Sequence, residues 1–250
     1  MDLTAQLVAL EEIGRWRDLY RQEMNCQIIH DSIHPRPGWS LEYALSAGGA
    51  PAGYGSVAIG GPWKSKPTIY EFYILPYYRN RLFDFFLRLL SASETNRIET
   101  QSNDVLLTAM LHTFAHEITS ESILYHDTLT TALVPQGAVF RQATSADKFD
   151  IPAEQLWSHG VVESEGAVAA KGGILFHYNR PYGDIYMEVA EPFRRRGFGS
   201  YLVQELKRVS YEHGNIPSAR CNPANIASRK TLQKAGFVPC GHILTGSIPP

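Results

Sequence analysis

The chain has 250 residues, 44% of them hydrophobic and 19% charged, with 23 Lys and Arg against 25 Asp and Glu for a net charge of −2. This much apolar side chain builds real cores and excludes a disordered chain, while the near-balance of charge argues against a chain-wide nucleic-acid binder or a polybasic membrane protein. No apolar run reaches the ~18 residues that a membrane helix needs. Lys171 interrupts Gly166 to Phe176, and Asp84 and Arg88 interrupt the stretch around Phe83. The segment Met1 to Gly14 carries Asp2, Glu11 and Glu12 with no basic flank, so a cytoplasmic address is expected. Cys26, Cys221 and Cys240 are scattered and none lies in a CxxC pair, which reads as reduced thiols.

In chain order, Leu3, Leu7, Leu10, Ile13, Trp16 and Leu19 recur at three- and four-residue spacing, which predicts one or two amphipathic helices over 3–28. Strands 40–45 and 52–59 flank the turn Gly48-Gly49, and a turn at 63–67 precedes a strand over 68–75. A helix over 81–92, a short strand near Ile98 and a helix from Asp104 to about Ala115 follow. Val134-Pro-Gln-Gly137 reads as a linker, dividing the chain into 1–134 and 135–250. The second part offers strands 138–143, 160–165, 167–178 and 185–189. A helix over 199–213 ends on Gly214, strand 218–221 leads to a helix over 226–235 ending on Gly236, and 237–245 is the last strand. The fold class is mixed α/β, with two late helices inserted into largely antiparallel sheets. The aromatic group Tyr70, Phe72, Tyr73, Tyr77 and Tyr78 suits packing at strand spacing or the lining of a pocket. His112 and His116 are four apart on an expected helix, but no third ligand accompanies them and no metal is expected.

An internal repeat runs through the chain. Pro76 to Leu87 matches Pro192 to Leu202 with Arg79 on Arg194 and Arg81 on Arg196, and the strand before each aligns as well. In this alignment Gly197 and Gly199 become Leu82 and Asp84. Glycine leaves backbone N–H groups open to an anion, whereas Leu82 blocks that approach and Asp84 repels it from the first helical turn. The first copy is therefore expected to have lost an anion site that the second keeps.

Arg194-Arg-Arg-Gly-Phe-Gly-Ser200 lies between a strand and a helix, where loop and first-turn N–H groups converge on one point suited to a diphosphate. Taken alone, it also fits a solvated basic turn. It is neither a P-loop nor a dinucleotide fingerprint.

Together with Asn222-Pro-Ala-Asn225-Ile-Ala-Ser228 and Leu232-Gln-Lys234-Ala-Gly236-Phe237, this RxxGxG segment resembles the GNAT N-acetyltransferase superfamily over about 161–245. The first half resembles a degenerate copy, as in tandem members, giving two GNAT-like domains, each a mixed, largely antiparallel sheet flanked by helices. The resemblance implies that Arg194, Arg195, Arg196, Gly197, Phe198, Gly199 and Ser200 cradle the diphosphate of acetyl-CoA. It implies that Met187 and Val189 pair by backbone with the pantetheine arm, with the Val189 N–H facing the thioester oxygen. It also implies that Asn225 and Ser228 bond the cofactor from the far side, with a helix N-cap and a solvent-facing serine as the alternative reading.

The pattern is incomplete. Leu232 stands where many members carry a tyrosine that protonates the leaving thiolate. The positions of the usual strand-four carboxylate fall on Gly183 and Ile185. Asp184 and Glu188 are the candidate bases, although on a regular strand both have the opposite parity, and Glu163, His159 and His177 are reserves. The expected activity is direct acyl transfer from coenzyme A to a primary amine, small or peptidic. The alternative is a non-catalytic acyl-CoA-binding regulatory protein.

Overall fold

The computed structural model describes residues 2–27 and 31–249. Its elements are β1 (Leu3–Val8), α1 (Leu10–Met24), β2 (Ser40–Ala47), β3 (Ala50–Ala58), β4 (Thr68–Ile74), α2 (Leu82–Ser93), β5 (Arg97–Gln101), α3 (Val105–Phe114), β6 (His116–Asp127), β7 (Val139–Gln142), β8 (His159–Ser164), β9 (Ala167–Leu175), β10 (Tyr182–Val189), α4 (Phe198–Glu212), β11 (Ile216–Cys221), α5 (Ile226–Lys234) and β12 (Phe237–Ser247). Short 3₁₀ turns fill several connections. The mixed α/β class holds, with three departures from the sequence reading. Residues 3–8 form a strand rather than helix, because pairing with β2 from Leu3↔Ala47 to Val8↔Glu42 satisfies their backbone groups. The helical spacing had run across two elements, and Ile28 lies outside the described residues. β6 had no expected strand, since only Ile123, Leu124 and Tyr125 of its residues are buried. His112 ends up in α3 while His116 opens β6, so the two share no helix face.

The chain forms two compact units, Met1–Glu121 with Gly241–Pro250, and Ser122–Cys240. The division falls inside β6 rather than at Val134–Gly137, where a turn closed by Ala138 N–H to the Pro135 carbonyl (3.1 Å) lies within the second unit. In the first unit the sheet order is β1-β2-β3-β4-β5-β12, and in the second β6-β11-β10-β9-β8-β7. Each unit has a parallel pair that opens after a few rungs. β4 and β5 are registered only at Thr68↔Arg97 and Ile69↔Ile98, and β10 and β11 from Tyr182↔Ile216 to Asp184↔Ser218.

The repeat is visible in the turn that follows β4 and β10. Arg79 Nε donates to the Ile74 carbonyl at 2.9 Å, and Arg194 Nε to the Val189 carbonyl at 3.3 Å. Beyond these arginines the copies fall two residues out of step, for Phe85, Phe86 and Leu89 are the buried face of α2 where Leu202, Val203 and Leu206 are that of α4. Phe83, aligned by sequence with the buried Phe198, is half exposed. By burial, Leu82 rather than Asp84 matches Gly199.

In the first unit, the opening between β4 and β5 is filled by its own side chains. Tyr20, Tyr70, Glu99, Thr100, Gln101, Asp104 and Ile243 enclose only about 10 Å³, and the Tyr20 hydroxyl donates to Asp104 Oδ2 at 2.6 Å. Next to it, the fully buried Glu71 accepts from Arg17 Nε (3.2 Å) and the Tyr54 hydroxyl (2.9 Å), and lies 3.1 Å from His34 Nε2. Burial alone would lower the His34 pKa, but the Glu71 charge and the Glu42 and Glu71 hydrogen bonds raise it to about 9. A raised imidazole pKa stabilises the fold fully below the unfolded value of 6.5, and that stabilisation disappears as pH climbs through about 9. Denaturant midpoints of the first unit are therefore expected to fall between those pH values by an amount worth roughly 3 kcal/mol, and His34→Gln should remove this slope.

Candidate functional site

The second unit builds its core around α4. Leu202, Val203, Leu206 and Val209 recur at helical spacing and pack on Ala169, Ile174, Ile185 and Ala219 of the sheet. This packing fixes the N-terminus of α4 beside the end of β10. Gly197, the N-cap, has φ +92°, and no side chain caps the helix, so its first-turn N–H groups are open to an acceptor. By contrast, Asp104 Oδ1 accepts from both Leu106 and Leu107 N–H at the start of α3. A Cβ on Gly199 would lie 3.0 Å from Val189 Cγ2 and 3.3 Å from Thr231 Cγ2, so a larger residue would have to displace these side chains by a few tenths of an ångström.

A cavity of about 840 Å³ opens at this point. Its wall contains Met187, Val189, Arg194, Arg195, Gly197, Phe198, Gly199, Ser200, Asn225 and Ser228, bringing ten of the eleven expected cofactor-binding residues together. The eleventh, Arg196, turns away. It pairs with Glu165 and its guanidinium lies 5.4 and 5.2 Å from the Phe193 and Phe198 rings. Arg194 bonds its own strand through Nε, and Arg195 has φ +63°. Asn225 serves as the N-cap of α5, accepting from Ser228 N–H at 3.0 Å, while still lining the cavity. The Ser200 hydroxyl donates to the Thr231 carbonyl at 3.1 Å, so its side chain is engaged within the unit.

Two cations with no cofactor role in the sequence reading, Lys230 and Lys234, join the wall. Neither has an ion-pair partner among the described residues, and Lys234 Nζ would lie 3.7 Å from a Cβ on Gly197. The signal was available: Ala227, Lys230, Thr231 and Lys234 stand at positions i, i+3, i+4 and i+7, one face of α5.

The edge of β10 is open in a defined way. Ala190 N–H donates to the Ala169 carbonyl at 3.0 Å, so by antiparallel alternation Glu188 and Tyr186 also direct their backbone groups toward β9. Met187 and Val189 direct theirs the other way, into the opening past the Asp184↔Ser218 rung. An extended chain can pair with that edge.

β10 pairs with β9 without a register shift, so no bulge turns Asp184 or Glu188 onto the face of Ile185 and Met187. Glu188 is exposed, lies 3.6 Å from Lys171 Nζ and borders the cavity. Asp184 is buried on the opposite face, with His177 Nε2 and Arg220 Nε each 3.6 Å from its Oδ2. Burial, reinforced by the Asp184 charge, pushes the phenol of Tyr178 well above its usual range. Of the reserves, Glu163 is paired with Arg141 at 2.7 Å, and His159 is buried against Phe149 and Tyr186. Leu232 is buried in the core, so α5 brings no acid to the opening. Among the described residues no group of His, Cys, Asp and Glu could hold a metal ion.

A model of the Acetyltransferase (GNAT) family matches residues 124–237. No curated protein matches the chain. Among solved structures, an acetyltransferase of the GNAT family from Colwellia psychrerythraea is 14% identical, with 98% of this chain and 100% of that one covered and a TM-score of 0.76. A tandem GNAT protein from the clavulanic acid biosynthesis pathway is 14% identical over 100% of this chain and 99% of its own, with a TM-score of 0.64. A GCN5-related N-acetyltransferase from Sphaerobacter thermophilus is 14% identical over 99% and 96%, with a TM-score of 0.63. At such identities the likeness is one of fold. Residues 124–237 therefore match a domain of the GNAT acetyltransferase family, and the solved structures share the fold across the whole chain.

Proposed function

We propose that the second unit transfers an acetyl or similar acyl group from coenzyme A directly to a primary amine, and that the first unit is a degenerate copy. The observation that carries this reading is the uncapped start of α4 at the mouth of a cavity that runs into the open edge of β10. N–H groups of residues 197–200 bind the diphosphate, helped by the helix dipole. Arg195, Lys230 and Lys234 neutralise its charge. Met187 and Val189 hold the pantetheine arm as an added strand, and a backbone N–H at the inner end of that edge faces the thioester oxygen where negative charge grows as the amine adds. A thiolate near neutral pH leaves without an acid, which accommodates Leu232. The sealed opening in the first unit supports assigning cofactor binding to the second alone. Among the described residues no helix is long and apolar enough to cross a membrane, which is compatible with the cytoplasmic address we infer.

Release of coenzyme A thiol should depend on added amine when the protein is mixed with acetyl-CoA and a panel of primary amines. Tight acetyl-CoA binding with no turnover across the panel would instead favour a non-catalytic acyl-CoA-binding regulator, the reading that the buried Leu232 recommends. Lys230→Gln with Lys234→Gln is expected to weaken acetyl-CoA binding roughly tenfold at low salt, and by less at high salt, since each exposed cation is worth about 0.5–1 kcal/mol and is screened. Titrations at two ionic strengths check this.

A further inference from the structure

On the face of the second unit's sheet opposite α4, four polar side chains converge where β10 and β11 part. Asp184 lies on the last shared rung, opposite Ser218, and is 5% exposed. His177 Nε2 and Arg220 Nε each stop 3.6 Å from its Oδ2. The Arg220 guanidinium, on a half-exposed side chain, lies 5.2 Å from the ring of Tyr178. Tyr178 is 3% exposed, its hydroxyl approaches Asp184 without a well-formed hydrogen bond, and His177 Nε2 is likewise buried without one. Buried polar atoms in native folds are nearly always satisfied, so a group of them with unmet capacity around one carboxylate calls for a further polar species. Ser218 is not part of it, since its hydroxyl is spent on the Gly183 carbonyl at 3.0 Å.

We propose that His177, Tyr178, Asp184 and Arg220 form the acceptor subsite, and that it takes an amine with a carboxylate beside it, as in an α-amino acid. The placement rests on the acyl-CoA reading: an arm paired with Met187 and Val189 reaches its limit where β10 and β11 close at Asp184. The chemistry of the ligand rests on the four side chains themselves. One anion and one cation stand side by side, so a zwitterion answers both, its ammonium on Asp184 and its carboxylate on Arg220 and the Tyr178 hydroxyl. A polyamine would leave Arg220 without a counter-charge. In the reaction, the Asp184 and His177 pair takes one proton from the ammonium. The nitrogen lone pair then forms the C–N bond to the thioester carbon, the C–S bond breaks, and the thiolate receives a proton, so that amide, free thiol and one released proton balance ammonium and thioester.

The test pairs glycine, leucine and phenylalanine each with its carboxamide. Thiol release from acetyl-CoA is followed, and binding of each compound to the coenzyme A-saturated protein and to the protein alone is measured by calorimetry. The amino acids are expected to exceed their amides at least about tenfold in kcat/KM and in affinity, equivalent to about 1.4 kcal/mol. The amide's amine is the less basic of the two, so any bias in free-amine fraction runs against this result. Arg220→Gln should shrink the ratio to within about threefold, and Tyr178→Phe should lower amino-acid affinity in protein that still binds acetyl-CoA. Equal use of acids and amides, or a preference that survives Arg220→Gln, overturns the proposal. So does acetyl-CoA binding with no amino-acid binding, which leaves the acyl-CoA reading intact. Failure of acetyl-CoA itself to bind defeats that reading, and amino-acid binding to the protein alone still decides the subsite.

Discussion

Gly197→Leu combined with Gly199→Asp is expected to weaken acetyl-CoA binding at least about 100-fold, equivalent to about 2.7 kcal/mol. Three effects act together. At φ +92° a residue with a Cβ is strained at position 197, whatever the space around it. At position 199 the Cβ would meet Val189 and Thr231 at 3.0 and 3.3 Å, pushing strand and α5 away from the helix start. The aspartate then sets a negative charge in the turn that attracts the diphosphate. Isothermal titration reads the affinity, and circular dichroism with a thermal melt reports whether the unit remains folded. Unchanged affinity in folded protein would place the coenzyme elsewhere.

Lys207→Met should destabilise the second unit by about 3–5 kcal/mol and lower its melting temperature by roughly 10 °C or more. The Lys207 ammonium is buried and donates to the Leu129 carbonyl at 2.8 Å and the Ala235 carbonyl at 2.7 Å, with Asp127 Oδ1 at 2.6 Å. Its removal frees the last turn of α5 and leaves the buried Asp127 carboxylate, among the described residues, with the Tyr211 hydroxyl at 3.0 Å. Because α5 carries Asn225, Ser228 and Lys234 into the cavity wall, acetyl-CoA affinity should fall as well. Adding Asp127→Asn should recover a large part of the lost stability, since the unpaired charge is the main cost. A Lys207→Met variant that melts like the parent would show that the ammonium is dispensable.

What could be read from the sequence followed the range of the interactions. Gly197 and Gly199 announce a close-approach loop because the requirement is local, and the strand before it and helix after it follow from period and cap signals. The fate of the three arginines is not local. Arg194 turns back to Val189, and Arg196 is drawn to Glu165 in the β8–β9 turn, a partner 31 residues away, so a run of like residues divides into different roles. Lys234 lay within the motif, but its place over Gly197 arises from how α5 packs on α4. Residues 3–8 show the same limit in the fold. Leu3, Leu7 and Leu10 keep helical spacing, yet the unpaired edge of β2 makes a strand of the first six. The two-residue slip between the copies of the repeat was hidden because apolar helices tolerate many alignments, and only the buried faces separate them.

The most direct test of the account is a crystal structure of the protein with acetyl-CoA bound. The diphosphate is expected within hydrogen-bond distance of the N–H groups of residues 197–200, with the arm paired to Met187 and Val189 in the second unit and nothing bound between β4 and β5. Coenzyme found on the first unit, or lying outside the cavity beside α4, would contradict it.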